Sequence, residues 1–223
     1  MLLKLLTIIL VFTSLIKTEP SADLIKETRE KIAQINISFW ENNKPDKSSV
    51  SELEKQLSEL KNNKILSNPI IADKEHKNKG QQLIKSFKTF EKLFRSKPAV
   101  DTLKKVFQVV NNEFNSLFGN YLLDELNNSS KKKIIIISTS MSCECTLELC
   151  YKNEAEVQKL QKVNTDLFDY AVVDCFTNFD LQSKYEVGFI PAVLILDSKN
   201  KELKRFEREE NLYSKLNEYL LGK

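Results

Sequence analysis

KYEVGFIPAVLIL, residues 184–196, sets Pro191 directly before an unbroken apolar run. Ala192 to Asp197 reads as a strand, a turn at Ser198-Lys199-Asn200 leads to a second strand at Leu203 to Phe206, and Asn211 to Leu221 reads as a closing helix. Upstream, Ile134 to Ile137 is a continuous β-branched run of the kind a buried parallel strand presents. Tyr170 to Asp174 reads as a further strand and Asp180 to Tyr185 as a short helix. Asn153-x-x-Glu156 has the pattern of a capping box and predicts a helix through Val157, Leu160 and Val163. The order over 134–223 is strand, helix, strand, helix, strand, strand, helix, which predicts a mixed sheet flanked by helices.

The first half has a different period. Leu24, Thr28, Ile32, Ile35 and Phe39 recur at helical spacing up to a break at Asn42-Asn43-Lys44-Pro45. Ser49 and Glu52 form a capping-box pattern ahead of Leu53, Leu57 and Leu60. A third stripe runs Leu83, Phe87, Phe90, Phe94, and a fourth runs Leu103, Phe107, Val110, Phe114, Leu117, Phe118, Tyr121. Residues 21–126 are therefore predicted as an all-α region of about four helices, each with one apolar face to bury against another helix or against the following domain. A polar linker, 127–133, separates it from the α/β part. Within that linker Lys131-Lys132-Lys133 reads as a solubilising run, and Asn127 and Asn128, like Asn36, begin glycosylation sequons.

Lys4 precedes an apolar run from Leu5 to Ile16 that has the length of a signal peptide and falls short of the roughly 20 residues of a spanning helix. Residues 1–18 are read as an export signal, cleaved after Thr18 or Ala22, with an uncleaved anchor as the alternative. The expected compartment is then the periplasm, the extracellular space or a secretory lumen, with no stable membrane span after cleavage. The net charge of +3 includes Lys4 and Lys17, so the mature protein is nearly neutral, which disfavours nucleic-acid binding. His76, the only histidine, sits in a polar run far from any cysteine, so a cysteine-histidine or serine-histidine triad is not expected.

The element order, a cysteine-bearing loop after the first strand and Ile190-Pro191 just before the third resemble the thioredoxin superfamily over residues 131–223. That resemblance implies a cis Pro191 in a shallow substrate groove facing redox cysteines, with Ile190 and Pro191 contacting substrate and no cofactor beyond the cysteines themselves. The loop departs from the usual Trp-Cys-Gly-Pro-Cys: MSCECTLELC, residues 141–150, holds Cys143, Cys145 and Cys150 in a Cys-x-Cys-x4-Cys pattern. Counting forward from the first strand places Cys143 at the nucleophile's position, whereas counting back from the second strand favours Cys150.

Three readings of these cysteines stay open. In the first the protein is an exported thiol-disulfide oxidoreductase acting on thiols or disulfides of other exported proteins, with Cys143 as nucleophile and Cys145 or Cys150 resolving. In the second, Cys143, Cys145, Cys150 and Cys175 form structural disulfides in a binding or assembly module. A short similarity at Ser138-Thr139-Ser140-Met141 to thioredoxin-like proteins of conjugative pilus assembly belongs with that reading. In the third, three thiolates, with Cys175 as a fourth, hold Cu(I) or zinc. The helical region is expected either to form a homo-oligomer or to select the substrate.

Overall fold

The computed structural model describes residues 20–71 and 78–222. The apolar N-terminal run, the Thr18 cleavage position and His76 lie outside them. The predicted stripes become four helices: α1 (Pro20–Trp40), α2 (Lys47–Asn62), α3 (Lys79–Arg95) and α4 (Val100–Asn127), with a 3-10 turn at Ile65–Ser67. Each helix buries the apolar face read from its spacing, including Ile35, Leu53, Leu83 and Phe107, all with no measurable exposure. The phenylalanine stripes meet one another: Phe90 packs on Phe107 at 4.9 Å and edge-on against Phe39 at 6.1 Å between ring centres. Among the described residues no helix is long and apolar enough to cross a membrane.

The second half runs β1 (Lys132–Ser138), α5 (Glu144–Val163), β2 (Phe168–Asp174), α6 (Asp180–Lys184), β3 (Ala192–Leu196), β4 (Glu202–Glu207) and α7 (Leu212–Leu221). The sheet order is β2-β1-β3-β4, with β1 parallel to β2 and antiparallel to β3, and β4 antiparallel to β3. Ile134 and Ile136 point to a core shared with Val157, Leu160, Leu212 and Leu216 of α5 and α7. Ile135 and Ile137 point the other way, into one continuous core with α1 to α4. The helical region thus forms the second covering layer of the sheet.

Its fit against β2 is close. An ideal Cβ on Gly119 of α4 would lie 2.9 Å from the Val172 carbonyl oxygen, so only glycine lets the helix approach this far. Two residues earlier on β2, the Tyr170 carbonyl accepts a hydrogen bond from Arg29 of α1 at 2.7 Å, and the same guanidinium stacks 4.5 Å over the Tyr170 ring. A buried amide chain then ties the helices to α5: Asn36 donates to Asn111 at 3.1 Å, and Asn111 donates to the Glu154 carboxylate at 2.8 Å. Burial pushes the Glu154 carboxyl up to about 7, against the opposing effect of these donors.

Four expectations are corrected. Helix α2 begins at Lys47 after Asp46, so Ser49 and Glu52 lie inside its first turns and do not cap it. Asn153 and Glu156 likewise sit mid-helix, because α5 has already started at Glu144. Asn36 is buried in the amide chain, which closes its sequon to modification in the folded protein. Lys133 is no solubilising linker residue, since β1 begins at Lys132 and the Lys133 side chain is fully buried. Its ammonium donates to the Asn127 carbonyl at 2.7 Å, the Ser198 carbonyl at 3.1 Å and the Asn200 side chain at 2.6 Å, which uses all three of its donors.

Replacing Lys133→Met removes all three of these hydrogen bonds and leaves the Asn127 carbonyl only the 3.4 Å contact from the Asn200 amide, and urea denaturation is expected to show a loss of about 3 kcal/mol. An unchanged midpoint would show that the ammonium does not join α4 to the β3–β4 turn. For Glu154, the folded chain holds a proton from 4.5 to about 7 that the unfolded chain has released, so stability falls as pH rises through that interval. Glu154→Gln is expected to flatten that fall and to raise the unfolding free energy above pH 7. A pH profile identical to that of the parent protein would contradict this assignment.

Candidate active site

The loop from β1 to α5 is held by Asp174, the buried last residue of β2. One carboxylate oxygen accepts from the Ser140 hydroxyl at 2.6 Å, and the other accepts from the Ser140 and Phe176 backbone N–H groups, each at 3.0 Å. One side chain therefore anchors the loop that delivers the cysteines and the loop after β2. At the end of the first loop Cys143 takes an extended conformation (φ −64°, ψ 154°) as the N-cap of α5, and its carbonyl accepts from the N–H groups of Thr146 and Leu147. Cys143 is thus the cysteine at which α5 opens, and Cys150 lies within that helix. Helix α5 is 20 residues long.

The cysteines fall into two groups. Cys143 and Cys145 are exposed, with their sulfurs 2.8 Å apart. Their chain is not extended between them, because it enters the helix at Glu144, and this brings the two side chains together. The Thr146 hydroxyl lies 3.2 Å from the Cys143 sulfur, one helical turn further on. The contact with Cys145, then the Thr146 hydroxyl and its N–H, hold the Cys143 thiol down to about 6. At 2.8 Å either sulfur can be the donor to the other.

Cys150 and Cys175 are buried. Burial pushes the Cys150 thiol up to about 12 and raises that of Cys175 as well. Both adjoin Thr139: Cys150 is hydrogen-bonded to its backbone and Cys175 to its side chain. All four cysteines are free thiols in this structure, and the structure does not bring Cys150 to Cys143. Among the described residues no group of three or more cysteine, histidine or acidic side chains converges on a point where a metal ion could bind.

Pro191 is buried and the Ile190–Pro191 bond is cis. Because Ala192 pairs with Ile137, Pro191 stands at the end of the sheet from which the cysteine loop leaves. Three exposed apolar side chains rise from loops at the same end: Met141 at 66% exposure, Phe179 at 69% and Phe189 at 63%. The Phe189 loop is fixed from β4, where Glu207 accepts from the Phe189 N–H at 3.1 Å and Arg205 donates to the Tyr185 and Glu186 carbonyls. Thr146 and Asp174 were not singled out from the sequence. Thr146 is visible only once Cys143 is known to be the N-cap, whereas nothing in the sequence marks Asp174 beyond its place at the end of a strand.

No protein-family model matches the chain, and no curated protein matches it. Among solved structures it is similar to thioredoxin of Fasciola hepatica, at 21% identity and TM-score 0.36, over 46% of this chain and 88% of that one. It is similar also to mitochondrial thioredoxin 3 of Saccharomyces cerevisiae in its oxidised form, at 12% identity and TM-score 0.37, over 47% and 90%. A redox protein from Chlamydomonas reinhardtii aligns at 15% identity and TM-score 0.40, over 86% of this chain and 63% of that one. With strand order β2-β1-β3-β4, a helix that opens on a cysteine after β1 and a cis-proline before β3, the C-terminal half of the chain has a thioredoxin-like fold.

Proposed function

We propose that the chain is a thiol-disulfide oxidoreductase that acts on cysteines of exported proteins, with Cys143 as nucleophile and Cys145 as resolving thiol. The observation that carries this reading is the exposed Cys143–Cys145 pair, 2.8 Å between sulfurs at a helix N-terminus, with its thiol held down to about 6. Near neutral pH an ordinary cysteine of pKa 8.5 is only about 3% thiolate, so this lowering supplies the reactive species. The apolar run Leu5 to Ile16 supports export, where disulfide substrates accumulate.

In the reaction the Cys143 thiolate attacks one sulfur of a substrate disulfide. A mixed disulfide forms and the other substrate sulfur leaves as a thiolate, which takes the proton that Cys145 gives up. Cys145 then attacks the Cys143 sulfur and releases the second substrate thiolate. The substrate has gained two electrons, and the enzyme holds a Cys143–Cys145 disulfide that an external dithiol reduces. Each exchange is reversible, so the same pair, once oxidised, can pass its disulfide to a substrate dithiol. Cys150 and Cys175, buried and with raised thiols, take no part.

Iodoacetamide alkylation of Cys143, followed by mass spectrometry, is expected to rise with pH through a midpoint near 6. Cys145→Ala should move that midpoint up further than Thr146→Val does, because the sulfur contact is the larger cause. A midpoint at the ordinary thiol value in the parent protein would remove the basis of the reading. In reduction of insulin by dithiothreitol, Cys143→Ser is expected to abolish catalysis and Cys145→Ser to accumulate a mixed disulfide on Cys143. Cys150→Ala and Cys175→Ala should stay within about twofold of the parent, as for sites outside the exchange. Full activity in Cys143→Ser would refute the assignment.

A further inference from the structure

The helical half shares a core with the sheet, and its longest helix also reaches the reactive loop. Helices α4 and α5 lie side by side, with Asn112 hydrogen-bonded to the Tyr151 hydroxyl at 2.7 Å and Lys105 paired with Glu144 at 3.3 Å. Residue numbers rise together along these contacts, so the helices run in the same direction. Because Lys105 is level with Glu144, the first residues of α4 project past the Cys143 end of α5. Between the two helices is an open groove of about 730 Å³.

We infer that this groove binds the polypeptide on one side of the substrate's reactive cysteine, so that the helical half selects extended polypeptide disulfides over small ones. The inference rests on the thiol-disulfide reading of Cys143 and assigns that site a substrate class. Four features support it. Ser140 and Ser142 line the groove, so its mouth is beside Cys143 and is continuous with the place where a mixed disulfide would form. Its walls are mixed: Gln108 carries a neutral amide, Val109 and Leu147 are apolar with Val109 47% exposed, and charged side chains of both signs, among them Lys104 and Glu148, complete the lining, so an extended chain finds partners for its backbone and for polar and apolar side chains alike.

Length favours a polypeptide over a small thiol. The α4 lining runs from Asp101 to Asn112, about 16 Å at 1.5 Å per residue, and matches about five residues of extended chain at 3.3 Å each. A single cysteine derivative would occupy only the mouth. The one link across the top, Lys105 to Glu144, joins side chains that are 72% and 83% exposed, so an entering chain displaces it at little cost.

The test uses the full chain and disulfide-linked peptides whose cysteine stands alone or carries five residues on its N-terminal or its C-terminal side, with glutathione disulfide as the small reference. The parent protein is expected to show kcat/KM about tenfold higher for one of the five-residue peptides than for the bare cysteine, a typical gain from remote binding. Val109→Trp, which fills the groove from an exposed position, and Gln108→Ala should each lower that ratio, Val109→Trp to near one. The ratio is internal to each variant, so a general loss of folded protein does not imitate the result. A parent ratio near one, or a ratio unchanged in Val109→Trp, would overturn the inference while leaving the thiol-disulfide reading intact. No turnover of any disulfide by the parent, glutathione disulfide included, would overturn the thiol-disulfide reading itself and this inference with it.

Discussion

The structure depends on the need to cover β1 on both faces. Ile134 to Ile137 are all fully buried, and their side chains alternate between two cores, so a layer on one side alone would leave two isoleucines in water. Helices α5 and α7 supply one layer. The other comes largely from residues before β1, with α4 set directly against β2 at Gly119. The N-terminal helices are therefore a structural requirement of the sheet. The buried Lys133 ammonium and the Asn36–Asn111–Glu154 chain hold the two parts in one relative position. That fixed position is what aligns α4 with the start of α5.

A second consequence is the separation of the cysteines by environment. Cys143 and Cys150 lie on the same stretch of helix, seven positions apart, yet their thiols are held at about 6 and pushed to about 12. The cause is position. Cys143 is at the exposed N-cap, where a neighbouring sulfur, a hydroxyl and a backbone N–H all favour the thiolate, whereas Cys150 is buried beside Ser138 and Thr139 at the end of β1, where burial disfavours it. Assigning reactivity to one and inertness to the other needs no difference in residue type.

Much of this was legible in the sequence, because it depended on local periodicity. The helical stripes, the strand at Ile134 to Ile137 and the position of Pro191 all follow from residues close together in the chain. The position of the cysteines did not follow, because counting forward from the first strand and back from the second favoured different residues, and only the folded chain shows the helix opening after Cys143, with Asn153 and Glu156 in its middle. Lys133 was misread for a related reason. Its acceptors are 6, 65 and 67 positions away, and no local pattern announces a cation that the tertiary fold satisfies. Asp174 holds two loops by the same kind of long-range contact, reaching Ser140 across 34 positions.

The position three residues after Cys143 gives this site its character. One helical turn brings residue 146 back beside the capping sulfur, and there the chain carries a buried threonine in contact with that sulfur at 3.2 Å. A hydroxyl there favours the thiolate by hydrogen bonding but cannot form a disulfide. On the proposed reading the resolving role moves to Cys145, which is exposed and only two residues from the nucleophile. The ring that this pair closes is smaller than that of a three-residue spacing, so its disulfide is more strained and more readily reduced. Resolution then competes with any external thiol that reaches the exposed mixed disulfide. The longer a substrate remains seated beside Cys143, the more often Cys145 completes the exchange, which is why the groove along α4 bears on the chemistry as well as on selection.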